Sequence, residues 1–465
     1  MRKKLFLVLL LAACLVLSGC ALVVKDPVRD AQQVIVDVNG ETVDKQTVSQ
    51  LVTDYKNNML NYYYQLYSMY GLSFNADSVD TSGAPQAVID NEVETLVLKQ
   101  KFASLSELAL TEEEEAEILA HAQEEYDSML SQVKSLYLSD SGLEGDELNA
   151  AAQAKALELD ARYTMDYFTD HAREEKIEEK LRDYAIRDVA VTEDEIKAEY
   201  DSRVAEAKES YASDITAFGT AVNAGNTIYY RPAGYRYVKQ ILVGFPDDVK
   251  SALTAANSAV TAAQTALNTA KTALDDNVSA LAEEGIADEK KAELEAAAPD
   301  LQAALETAQA DLDAKTAAAE QAKADAFAAV QPTVDEVMAK IAAGEDFDAL
   351  MEQYNTDPGM QREPGKTNGY AICEGFTPFE TAFVDAAMAL EKIGDVSEPV
   401  ASDSYGYYII RYQSDIAEGE VALDDVRSVI EPDVLADKQD TTYDAAVEQW
   451  KSEAKIKTYI ERLSN

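Results

Sequence analysis

The chain has 465 residues, with 40 Lys and Arg against 86 Asp and Glu, a formal net charge of −46 and 47% apolar residues. That length exceeds what one hydrophobic core organises, so two or more domains are expected, and the apolar fraction excludes disorder along the whole chain. Nucleic acid is excluded as a partner class, because affinity for phosphate backbones comes from Lys and Arg displacing counterions.

In chain order, Arg2, Lys3 and Lys4 precede an apolar run from Leu5 to Leu17 and then Ser18-Gly19-Cys20, the three parts of a secretion signal. The run falls short of the roughly 20 residues that cross a bilayer core. Leu17-Ser18-Gly19-Cys20 resembles the lipobox of bacterial lipoproteins. That resemblance implies a signal peptide over 1–19, a lipid on Cys20, a linker over 20–32, and a protein anchored to the outer face of the bacterial cell membrane. Cys14 then leaves with the signal, so Cys373 is the one free thiol and no intramolecular disulfide is possible. One thiol and two imidazoles, His121 and His171, do not make a zinc or iron–sulfur site. No metal and no cofactor are expected.

Val34, Val36 and Val38 alternate before Asn39-Gly40, which predicts a strand, a tight turn and then a helix from about Asp44. Helical periodicity continues to about residue 212, and Thr111/Glu114 and Thr192/Glu195 have the spacing of capping boxes. Tyr62, Tyr63, Tyr64, Tyr67 and Tyr70 crowd one helix; they are read first as interhelix packing, with an exposed surface for unfolded clients as the alternative. The Val-Asn-Gly-Glu entry, the long helices and Val191-Thr192-Glu193-Asp194-Glu195-Ile196 resemble the N-terminal domain of the SurA and PrsA family of exported foldases.

From 247 to 330 the chain is Ala-rich, and Leu253, Val260, Leu267, Leu274 and Leu281 recur every seven residues. A second apolar stripe follows Pro299. The two arms are expected to fold back as an antiparallel helical hairpin reversing near Gly285, with pairing to another chain as the alternative.

On either side of this insertion, Gly234 to Val243 reads as a strand, Thr333 to Tyr354 as two helices broken at Gly344, and Tyr405-Gly-Tyr-Tyr-Ile-Ile-Arg411 as a strand. With Gly394-Asp-Val-Ser-Glu-Pro-Val400, this order resembles the parvulin peptidyl-prolyl isomerase domain. The resemblance implies an apolar cup for a proline ring, formed by Phe379, Phe383, Tyr370 and Met388, with Gln240, Asp357 and Tyr408 beside the twisting amide. Plain core packing is the alternative for the two phenylalanines. Such a cup needs no nucleophile, since the barrier of about 18–20 kcal/mol falls when the twisted amide is favoured and water excluded. The chain departs from the family in having Gln240 and Tyr408 where histidines are usual, and Lys366-Thr367-Asn368-Gly369 where a Gly-Asp-Leu-Gly loop is usual. Weak or lost isomerase activity is expected from those replacements.

In fold, the expectation is an α+β protein. A discontinuous helical SurA-N-like chaperone domain over 33–228 is completed by C-terminal helices over 414–465. It is interrupted by a parvulin-like domain over 229–413 that carries the hairpin at the mouth of its proline site. In function, the expectation is a membrane-anchored foldase for newly exported polypeptides and proline-containing segments, with a fully active prolyl isomerase and a surface adhesion lipoprotein as alternatives.

Overall fold

The computed structural model describes residues 26–464, so the signal segment and Cys20 lie outside the described residues. After the short helix α1 (Pro27–Ala31), strand β1 (Val34–Val38) turns through Asn39 and Gly40, both with positive φ, into β2 (Glu41–Asp44). The sequence reading passed from the turn directly to a helix. A two-residue turn of this kind needs a second strand to close on, and Val38 pairs with Glu41 across it.

Asp44 then caps α2 (Lys45–Met69), its carboxylate accepting from the Thr47 amide at 2.9 Å. Helices α3 (Ala84–Ser104), α4 (Glu112–Tyr137), α5 (Gly145–Leu159) and α6 (Met165–Ile186) follow, and the capping box at Thr111/Glu114 forms as the spacing predicts. Interhelix packing does not account for most of the tyrosines of α2: Tyr62, Tyr64 and Tyr70 are 63%, 58% and 68% exposed, while Tyr67 is half-buried against Phe74. The apolar face of α2 that does meet the core ends early, at Val48, Leu51 and Val52.

Residues 26–191 form one compact unit together with residues 435–464, and Thr192–Val434 forms a second. Helix α7 (Glu193–Ser213), opened by the Thr192/Glu195 capping box, helix α8 (Ala217–Asn223) and strand β3 (Tyr230–Arg231) fall in the second unit. Phe218 and Val222 of α8 are buried with Tyr235, Ala371 and Phe376, and the Tyr200 hydroxyl donates to the Val421 carbonyl at 2.8 Å.

Strand β4 (Arg236–Gly244) leads directly into α9 (Asp247–Leu281), which reverses through Gly285 into α10 (Asp288–Ala342). These two helices form the expected antiparallel hairpin, with Leu253, Ala263 and Asn277 buried in α9. The second arm differs from the reading, however. It starts at Asp288 rather than after Pro299, and it continues past 330 through Pro332 as one helix. A proline inside a helix costs about 3 kcal/mol. Here Ala326, Val330, Val334 and Val337, spaced by four, four and three, are buried with Ile241, Val243 and Ile409, and each buried valine contributes about 1.5 kcal/mol or more.

Helices α11 (Phe347–Tyr354) and α12 (Gly365–Asn368), strand β5 (Tyr370–Ile372), helix α13 (Thr381–Met388) and strands β6 (Val400–Ser402) and β7 (Gly406–Asp415) complete an antiparallel sheet of order β5-β4-β7-β6. Its register pairs Gln240 with Ile410 and Leu242 with Tyr408. Alternation sends Val238, Leu242, Tyr408 and Ile410 to one face, under α13, and Ile241, Val243 and Ile409 to the other, under α10 and α11. Strand β8 (Gly419–Glu420) pairs with β3.

The chain then runs through α14 (Leu423–Glu453), whose later part returns to the first unit: Tyr443, Val447 and Trp450 are buried with Ile35, Ile89 and Leu181. The helices expected over 414–465 end at Glu453 except for a 3-10 turn at Ile460–Arg462. Strand β9 (Ile456–Thr458) pairs antiparallel with β1, Val38 opposite Ile456, giving a sheet of order β2-β1-β9. Tertiary pairing overrides the helical period there, because β1 has an open edge whose amides and carbonyls need partners.

Candidate functional site

Strand β5 covers only Arg236 to Val238 of β4, so beyond Val238 the β4 edge is free on that side. The segment after α11 takes it up. Asn355, 7% exposed, accepts the Leu242 amide on Oδ1 at 2.9 Å, and the Thr356 amide donates to the Leu242 carbonyl at 2.9 Å. Asn355 Oδ1 also accepts the Asp357 amide at 3.1 Å, and its Nδ2 donates to the Asp357 carbonyl at 2.9 Å. Asp357 is thereby held against β4. Its Oδ2 accepts from Gln240 Nε2 at 2.7 Å and from the Tyr370 hydroxyl at 2.8 Å, while Oδ1 accepts the Gly359 amide at 2.9 Å.

These groups form one wall of a cavity of about 390 Å³, lined by Gln240, Leu242, Asp357, Pro358, Tyr370, Pro378, Phe379, Glu380, Phe383, Tyr405 and Tyr408. A run of aromatic edges builds the rest. Tyr370 and Phe379 lie 4.8 Å apart between ring centres, Phe379 and Phe383 5.5 Å, and Phe383 and Tyr408 5.2 Å, the last two pairs edge to face. Phe383 is 3% exposed, whereas Phe379 is half-buried.

Of the residues singled out in the sequence, Gln240, Asp357, Tyr408, Tyr370, Phe379 and Phe383 converge on this cavity, and Met388 does not line it. Met388 lies at the far end of α13, packed against the core beneath, with its carbonyl facing the Arg236 guanidinium. The hairpin does not stand over the cavity: no residue of α9 or α10 lines it, and the base of the hairpin packs on the opposite face of the sheet. Leu242, Pro358, Pro378, Glu380 and Tyr405 line the cavity without having been identified. Asn355-Thr-Asp-Pro-Gly359 is a turn signature that marks the segment carrying Pro358; nothing local marks Glu380.

Burial, and after it the charge of Asp357, holds the Tyr370 phenol far above its ordinary range. Burial likewise raises Tyr408, with the Ser402 hydroxyl partly offsetting it and the Glu380 carboxylate adding to it. Both phenols are therefore neutral hydrogen-bonding groups near neutral pH. The lining contains no imidazole, and His121 and His171 belong to the first unit. Cys373 lies outside the lining, 3% exposed, its Sγ 3.6 Å from the Ile215 carbonyl, and burial pushes its thiol up. The arrangement offers an apolar, partly enclosed slot with a hydrogen-bonded carboxylate at one side, which suits binding and desolvating a neutral ring better than nucleophilic chemistry.

No family model matches the chain. Over 127 residues it is 30% identical to a foldase protein PrsA of Clostridium botulinum, a stretch covering 27% of this chain and 37% of that relative. Over 137 residues it is 32% identical to foldase protein PrsA 3 of Bacillus anthracis, covering 29% and 46%. The chain thus spans less than half the length of these curated relatives. Among solved structures, PrsA from Bacillus subtilis is 16% identical, with 91% of this chain and 93% of that one covered and a TM-score of 0.20. A SurA-like chaperone structure from Campylobacter jejuni is 16% identical, covering 72% and 95%, with a TM-score of 0.24. The chain is similar to curated PrsA foldases over little more than a quarter of its length.

Proposed function

We propose that this protein is an extracytoplasmic foldase, held to the outer face of the membrane by a lipid on Cys20, that engages newly exported polypeptides and binds their proline segments in a parvulin-like pocket. The observation that carries the reading is the cavity itself. Six of the seven residues expected at a proline site, from segments as far apart as Gln240 and Tyr408, line one hollow of about 390 Å³, ample for a pyrrolidine ring with its flanking residues.

Gln240 and Tyr408 stand where histidines are usual in such a pocket. A Gln amide and a neutral phenol keep hydrogen bonds but offer no group that titrates near neutrality. The pocket therefore binds and orients the prolyl amide, while isomerisation is slow compared with histidine-bearing relatives. The unfolded-client surface is assigned to the exposed tyrosines of α2, where Tyr offers wide contact area at low entropy cost.

Two measurements on the mature chain test this. Suppression of aggregation of a reduced, unfolded client is expected at stoichiometric protein, together with a weak acceleration of a proline-limited refolding phase. Phe383→Ala, which removes the floor of the cup, is expected to abolish the acceleration and leave the aggregation result. No protection of the client and no proline-peptide binding would overturn the proposal.

A further inference from the structure

We infer that the pocket selects proline segments bearing Lys or Arg next to the proline, with Glu380 as the specificity-determining residue. The inference rests on the proline-pocket reading and names its substrate class. Two carboxylates line the cavity, Asp357 and Glu380, and no Lys, Arg or His does. They are in different states. Both oxygens of Asp357 are occupied, by Gln240, Tyr370 and Gly359. Glu380 accepts the Ser402 hydroxyl on Oε1 at 3.1 Å, lies beside the Tyr408 phenol, and makes no ion pair among the described residues.

The Ser402 contact orients it. Ser402 Oγ is itself held by the amides of Ser404 at 3.3 Å and Tyr405 at 3.1 Å, so the turn between β6 and β7 positions the Glu380 carboxylate on the cavity wall. Glu380 is half-buried beside Phe379, where an uncompensated negative charge is less screened than on the open surface. The neighbouring Tyr405, 50% exposed, and Tyr408 present ring surface along which the methylenes of a Lys or Arg can lie while its cation reaches the carboxylate. The pocket thus supplies a carboxylate and aromatic faces, and a substrate must supply the donor. An acidic neighbour of proline would meet Glu380 with like charge, so discrimination has a repulsive as well as an attractive part.

The test uses the full mature chain and matched peptides with Lys, Leu or Glu immediately before or immediately after one proline, plus a proline-free Lys control. Affinities come from NMR titration and isomerisation from exchange spectroscopy. The Lys peptide is expected to bind about tenfold or more tightly than the Glu peptide at low salt, on whichever side of proline faces Glu380, with the gap narrowing as salt rises. Glu380→Gln should shrink the Lys-to-Glu ratio and Glu380→Lys should invert it, in variants whose thermal unfolding confirms a folded domain. Equal binding of Lys and Glu peptides, or a ratio that survives Glu380→Lys, overturns the inference while leaving the proline pocket standing. Failure of every proline peptide, the Leu ones included, overturns the pocket reading and this inference with it.

Discussion

Asp357 satisfies three donors with two oxygens, and each donor arrives from a different part of the chain. The arrangement leaves little room beside it: a Cβ at Gly359 would overlap the Tyr370 hydroxyl. Glycine at 359 is needed for close approach, not for backbone conformation. Gly359→Ala should therefore push Tyr370 off Asp357 and tilt the aromatic wall, weakening proline-peptide binding by about tenfold, the worth of one charge-assisted hydrogen bond. Peptide titration checks this, with the unfolding midpoint as the control for gross misfolding. At this scale the chemistry-bearing residue types were readable in the sequence. Glu380 was not, because it belongs to no local pattern and its placement depends on Ser402 and the β6–β7 turn.

Among the elements, α4 and α6 are tied by a capping residue that does two tasks. Glu114 accepts the Thr111 amide at 2.8 Å and the Lys180 ammonium at 2.6 Å. Lys180 first, and the Thr111 amide after it, hold the Glu114 carboxyl down to about 2 from its usual 4.5. A carboxyl that is more acidic in the folded than in the unfolded state binds fewer protons when folded. Its stabilisation is fully present above pH 4.5 and is lost as pH falls toward 2. Urea unfolding should accordingly show a stability gap between the wild type and Glu114→Gln at pH 6 that closes by about pH 2. A gap independent of pH would mean that the side chain acts through packing. Helix starts of this type are legible in advance, since cap and partner are three residues apart. The exit of α10 through Pro332 is not, because it depends on a stripe of valines finding the sheet.

For the whole molecule, the chain returns to where it began. Beyond the pairing of β9 with β1, the Tyr459 amide donates to the Ile35 carbonyl at 2.9 Å, and the Arg462 guanidinium to the Val34 carbonyl at 2.6 Å. Truncation after Ala454 removes this strand and leaves β1 with an unpaired edge. At about 1 kcal/mol net for each lost hydrogen bond, the first unit should lose about 3–5 kcal/mol and become prone to aggregate. Denaturant unfolding with Trp450 fluorescence measures the loss, because Trp450 is buried in that core. An unchanged midpoint would show that β9 is dispensable.

Sequence by itself determined the first strand and turn, both capping boxes, the Ala-rich hairpin and six of the residues that line the cavity. Each of these is a local property, carried by a period, a cap or a turn within a few residues. Only the tertiary structure decided that a strand follows α14, that Tyr62, Tyr64 and Tyr70 stay exposed, that the hairpin is rooted on the face of the sheet away from the cavity, and that Met388 stands aside while Glu380 faces in. The last two outcomes depend on which face of β4 and β7 each partner covers. A one-residue shift reverses that choice, and it is settled by contacts between segments more than a hundred residues apart.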